Sequence, residues 1–249
     1  MINILEDFMD PVYFDWSTIT RRAVYNALFD ALAILGTEQV PVKVIQGTLR
    51  KTLKSLMPVR VTSCRKKIVQ TDEIYVGGFY NSECDQDGLP PIEINLAYCP
   101  KQTHINLIDH QLSKICTLIA DVTLHEIVHL KQYRYRNFSD INRYKSQAED
   151  PDQRIKQEYL GDKDEVEAFG FNLACELWDR YGNNITKSNR WLDSDHWQQS
   201  PTSQMHEYMV AFDGDHDHPV IQKLKKHARR YLANYKIDKP FRRSKYLTM

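Results

Sequence analysis

Apolar side chains recur along the chain at spacings that switch between helical and extended. Ala23, Leu28, Ala31, Leu32 and Ile34 repeat near the helical period, Ser17 or Thr18 can cap the start, and a core-facing helix ending at Gly36 is predicted. Residues 42–45, between Pro41 and Gly47, read as a short strand. Leu49, Leu53 and Leu56 in a lysine-rich stretch suggest a short second helix, and 59–62 a further strand. Residues 67–80 read as a strand with Gly77-Gly78 near its end, followed by a run of turn-forming residues at 81–91. Ile92, Ile94 and Leu96 alternate with Glu93 and Asn95, the pattern of a half-buried strand, which makes a hairpin with the strand before it.

A long helix fits 107–135, because Leu112, Ile115, Cys116, Ile119, Val122 and Ile127 return every three to five residues. Residues 137–163 are polar and read as irregular, with Pro151 as punctuation. Helical spacing resumes over 164–181 through Val166, Phe169, Leu173, Ala174, Leu177 and Trp178, and Gly182 stops it. A polar loop rich in Trp, Ser and Asp then leads to Pro219 and a basic helix over 220–235. No repeat is present, so the expectation is one α+β domain over 1–249, with an arm at 1–16 and a basic helix and tail at 220–249.

Composition narrows this picture. Zero formal net charge and 42% apolar residues argue for an ordinary globular chain, against an acidic disordered segment or a wholesale nucleic-acid binder. Cys64, Cys84, Cys99, Cys116 and Cys175 are odd in number with no Cys-x-x-Cys pair, which argues against a disulfide framework. The first residues carry acids where a signal peptide needs a basic flank, and no apolar run reaches the roughly 18 residues of a membrane span, so a cytoplasmic protein without a membrane partner is expected. Towards the C-terminus Lys223, Lys225, Lys226, Arg229, Arg230, Lys236, Lys239, Arg242, Arg243 and Lys245 face only Asp238. Such a segment can contact nucleic acid or an acidic partner. Without base-reading motifs, a solvated helix with Leu224, Ala228 and Leu232 packed inward is the preferred reading.

Chemistry concentrates at 125–129, His-Glu-Ile-Val-His. On a helix this sets His125 and His129 on one face about 6 Å apart, where one metal ion can bind both, with Glu126 on the neighbouring edge, able to hold a water without being a ligand. Zinc lowers the pKa of its bound water to about 7, and a carboxylate can take that proton and later hand it to a leaving amine. Such a site needs a third protein ligand and an open position. A metzincin arrangement would place Gly at 132 and His at 135, but the chain has Gln132 and Tyr135. A carboxylate from a later helix is the alternative, and Asp164-Glu165-Val166-Glu167-Ala168 offers Glu165 and Glu167.

His125-Glu126-Ile127-Val128-His129, followed by Tyr159-Leu160-Gly161 and Glu165-Val166-Glu167-Ala168-Phe169, resembles the gluzincin branch of the zincin metallopeptidases, and is similar to small metallopeptidases encoded by phages. The resemblance spans about 65–170. It implies a small mixed sheet with an edge strand packed on the metal helix, Zn2+ held by His125, His129 and Glu165 (three positions before the small Ala168), and hydrolysis of peptide bonds through a zinc-bound water activated by Glu126. Glu167 is the rival ligand, since some relatives place the carboxylate directly before the small residue. The edge strand would pair with an extended substrate, a role that fits residues 92–98. A phage origin would put the protein in the host cytoplasm or the virion.

The chain departs from the pattern at Phe169, where thermolysin-like enzymes carry an Asp that steadies a ligand histidine. Asp121, Asn172 and Glu176 are the candidates for that support, and Tyr159, Tyr133, His206 and Tyr208 for the oxyanion donor. The run Asp213-Gly214-Asp215-His216-Asp217-His218 is read as a solvated loop without a metal. Two other functions compete: a non-enzymatic zincin-fold virion or interaction protein with structural or absent metal, and a DNA-associated peptidase using the basic C-terminus.

Overall fold

A computed structural model describes residues 14–234 apart from 37, 68, 70–72, 183, 195, 196 and 198–201. It is a mixed α+β protein with small sheets and many helices, and its chain divides into two compact units, Met1–Phe138 and Ser139–Met249. No helix among the described residues is long and apolar enough to cross a membrane, and all five cysteines are free thiols.

The first unit opens with α1 (Arg21–Ala33), capped by Thr20, whose hydroxyl oxygen accepts the Ala23 N–H, rather than by Ser17 or Thr18. Val24, Leu28 and Leu32 form its buried stripe, while Ile34 lies beyond the last turn and is 85% exposed. The expected strand at 42–45 is instead the first turn of α2 (Val42–Leu56). Its β-branched residues suggested a strand, but Val42, Ile45, Leu49 and Leu53 make one continuous buried helical stripe. The chain extends only at β1 (Val40–Pro41), which pairs antiparallel with β5 (His104–Ile105).

Three strands form the larger sheet: β2 (Val59–Arg65), β3 (Ile74–Tyr80) and β4 (Ile92–Tyr98), in the order β2-β4-β3. The expected hairpin is present, β3 pairing antiparallel with β4, and β2 lies parallel to β4 on its other side. This corrects the expectation that 92–98 is an edge. Alternation along a strand records which face is buried, not how many neighbours the strand has. On β4 the inward face is Ile92, Ile94 and Leu96, while Glu93 accepts the Thr62 hydroxyl at 2.9 Å and Asn95 donates to that hydroxyl oxygen at 2.9 Å. Between β3 and β4 a short helix, α3 (Ser82–Gln86), replaces the expected plain turn. Asn81 caps it by accepting the N–H groups of Glu83 and Cys84.

The long helix α4 (Asp109–Tyr135) packs on α1, β3 and β4. From Leu112 to Ile119 it buries a stripe. From Ile119 to Leu130 burial extends around the helix, leaving only Asp121 and Val122 partly exposed, and this stretch holds His125, Glu126 and His129.

The second unit is helical: α5 (Pro151–Gly161), α6 (Lys163–Tyr181), α7 (Ile185–Leu192), α8 (Ser203–Ala211) and α9 (Pro219–Asn234). α5 falls in the region expected to be irregular. It begins with Pro151 and is capped by Asp150, which accepts the Gln153 N–H, yet it buries only Gln157 and Leu160, too few for a periodic signal. α7 and α8 occupy the expected polar loop. The core gathers Leu173, Leu177, Tyr208, Phe212, Leu224 and Leu232. α6 and α9 approach closely at Gly170, where a Cβ would lie 2.5 Å from the Cβ of His227.

Candidate metal centre

α4 is fixed on both sides of the His-Glu-Ile-Val-His segment. One turn before it, the buried guanidinium of Arg21 on α1 donates to both carboxylate oxygens of Asp121. One turn after it, Arg134 forks onto Asp85 of α3, with Nε 2.9 Å from Oδ2 and the terminal nitrogen 2.5 Å from Oδ1. The Tyr80 hydroxyl, at the end of β3, donates to the same Asp85 at 2.9 Å. Burial, and then that bond, raise the Tyr80 phenol well above its ordinary value, so it stays a donor. Removing one partner of so buried an ion pair typically costs about 3–5 kcal/mol, which makes these contacts restraints on the register of α4 against α1 and β3.

Between the restraints His125, Glu126 and His129 are 7%, 6% and 8% exposed. Nε2 of His125 lies 3.2 Å from Nε2 of His129, with the ring planes at 76°. Two nitrogens each about 2.0–2.1 Å from a tetrahedral zinc ion lie about 3.3–3.4 Å apart, so the pair has the spacing that one ion needs. Nδ1 of His129 lies 3.0 Å from Oε1 of Gln132. An amide oxygen only accepts, so with Oε1 turned to the ring Nδ1 carries the proton, and the lone pair is at Nε2, facing His125. Comparison of the chain with protein-family models, curated proteins and solved structures finds no significant match. The chemistry therefore rests on the site itself.

The other expected residues divide clearly. Asp121 pairs with Arg21 on α1. Glu176 caps α8, accepting the N–H groups of Ser203 and Gln204 at 3.2 and 3.3 Å. Asn172 is buried on α6. Of the oxyanion candidates, Tyr133 packs on the Tyr80 ring at 5.1 Å and lies under the Arg136 guanidinium at 3.9 Å. His206 is exposed, and Tyr159 is half-exposed with its ring edge-on to Phe169. Tyr208 is fully buried, and its hydroxyl has no hydrogen-bond partner among the described residues. Burial first, and the Glu165 charge next, push its phenol well above the ordinary value.

Glu165 stands half-buried in the first turn of α6. Glu167, two positions on, is committed to α9: Arg230 pairs with its carboxylate and the Tyr231 hydroxyl donates to it at 3.3 Å. The 213–218 run gathers no three metal-donor groups among the described residues; Asp213 accepts from Gln153 at 2.7 Å and His218 stacks on Phe212.

Two participants escaped the sequence reading. Gln132 registered only as a missing glycine, although a polar residue three positions after a histidine on a helix is placed to reach its ring. Gly78 registered only as a strand-end residue. In space it lies under Glu126: a Cβ there would be 2.6 Å from Glu126 Oε1.

Proposed function

We propose that His125 and His129 hold one divalent metal ion, that Glu165 supplies the third protein ligand, and that the chain is a peptide hydrolase of the zincin type with Glu126 as its general base. The observation that carries this reading is the 3.2 Å approach of the two Nε2 atoms on a buried stretch of α4. Two nitrogens and a carboxylate oxygen are the donor set of a catalytic zinc site rather than of calcium or magnesium, which take oxygen ligands. The engagement of Glu167 by Arg230 and Tyr231 on α9 counts against it as the ligand.

A bound ion of this kind supplies Lewis acidity, polarising the scissile carbonyl and making a water acidic near neutral pH. Beside such an ion, Glu126 would serve as the base, its carboxylate taking a proton from water and returning it to the departing amine. Gln132 keeps the His129 lone pair at Nε2, and the ion pairs at Asp121 and Asp85 keep α4 in place. A free sheet edge can add an extended peptide as one more strand. That role passes from β4, which is central, to β3, whose Gly78 lies against Glu126.

One observation favours a non-enzymatic reading: two neutral imidazoles 3.2 Å apart also satisfy each other by a single hydrogen bond. Glu126→Gln separates the two. The hydrolase reading predicts a fall in peptide turnover of about 10²- to 10⁴-fold with the metal retained, measured as kcat beside metal content; unchanged turnover in that variant removes Glu126 from the mechanism. The described part of α9 gives a DNA-associated role little support. Its apolar face is packed inward at Leu224, Ala228 and Leu232, and Arg229 and Arg230 are paired with Asp193 and Glu167. Lys236 and the basic residues after it lie outside the described residues.

A further inference from the structure

Gly77 and Gly78 are neighbours on β3, and neither has the positive φ that would by itself require glycine. They differ in what lies over them. A Cβ on Gly77 would meet only Cε1 of Tyr75, at 3.5 Å, an ordinary van der Waals distance. A Cβ on Gly78 would lie 2.6 Å from Glu126 Oε1, 2.8 Å from Glu126 Cγ and 2.6 Å from Val122 Cγ1. Val122 and Glu126 are one turn apart on α4, on the flank that packs against β3.

Three things could yield to an added methyl group at position 78. The helix cannot easily back away, since Asp121 and Arg134 tie it to α1 and α3 on either side of this contact. Val122 is β-branched, and a helix leaves it one strongly preferred rotamer. The Glu126 side chain is the softest of the three, so it moves. The three atoms nearest that position belong to Glu126 and Val122, not to His125 or His129.

We infer that Gly78 is a positioning residue for Glu126: its bare backbone is the floor that sets where the carboxylate rests. This rests on the reading of Glu126 as the general base. It assigns the glycine to the proton-transfer step and leaves metal binding to the histidines. Displacing a reacting group by about 1 Å costs on the order of 100-fold in rate, which sets the scale of the effect.

The test compares Gly78→Ala with Gly77→Ala in the full chain. Gly78→Ala is expected to lower kcat about 10- to 100-fold with KM and metal content unchanged, and Gly77→Ala to stay near wild type. Equal kcat in the two variants, or a rise in KM at constant kcat, overturns the inference. A second readout needs no activity. Gly78→Ala should lower the melting temperature less in a Glu126→Ala background than in the wild type, because removing the carboxylate returns part of the space. Equal losses in both backgrounds overturn it as well. A chain that neither binds metal nor cleaves peptide would defeat the hydrolase reading, while the melting comparison would still decide whether Gly78 and Glu126 compete for the same volume.

Discussion

α4 and α9 carry the same kinds of polar side chain and treat them in opposite ways. α9 keeps an apolar face at Val220, Ile221, Leu224, Ala228 and Leu232, and most of its charges reach solvent or a neighbouring acid, as Arg229 does at Asp193 and Arg230 at Glu167. His227, half-buried behind Gly170, is held below its usual pKa mainly by burial. α4 instead buries two histidines and a glutamate between Ile119 and Leu130, with the histidine nitrogens turned towards each other. Burying polar groups is unfavourable unless partners compensate. On α9 ion pairs account for Arg229 and Arg230, and a contact with His216 for the buried Lys225. On α4 ion pairs explain Asp121 and Arg134, while the two buried imidazoles meet each other at 3.2 Å, the approach on which the proposed metal site rests.

This contrast can be broken first at Gln132. If it orients His129 for a metal, Gln132→Ala should weaken metal affinity about 10- to 100-fold, or about 1.4–2.7 kcal/mol, measured by competition with a chromogenic chelator. Unchanged affinity would reduce the Gln132 contact to surface decoration and make α4 resemble α9.

A smaller effect is expected at His227, where only stability is at stake. Its pKa in the folded chain lies below the ordinary 6.5, chiefly through burial. Glu167 opposes that shift, while Arg230, Lys226 and Lys163 add to it. As pH falls below about 6.5 the unfolded chain takes up a proton that the folded chain resists, so stability is lost through that window and is fully present above it. Melting temperatures between pH 7.5 and 5 should therefore decline less in His227→Gln than in the wild type. Parallel curves would show that this histidine is no more strained than an exposed one.

Legibility followed the same division. α4 and α6 could be read because their apolar residues recur over many turns, and the β3–β4 hairpin because alternation and turn residues agree. α2 was misread at its start because Val42 and Ile45 are β-branched, and α5 was invisible because Ile155 and Tyr159 point to solvent instead of continuing a buried stripe. The central position of β4 depends on its pairing with β2, a contact between distant segments that no local pattern encodes. The same holds at the site. The His125–His129 pair and Glu126 are a local motif, whereas Gly78 beneath Glu126 and Arg21 on Asp121 are tertiary contacts. The motif was legible and its supports were not.

The most direct measurement is the metal content of the full chain, purified without chelators and assayed by elemental analysis. The account predicts close to one equivalent of zinc per chain, lost in His125→Ala and His129→Ala, weakened in Glu165→Ala and retained in Glu167→Ala. Metal-free wild-type protein that also fails to take up added zinc, or zinc that persists when both histidines are replaced, would contradict it.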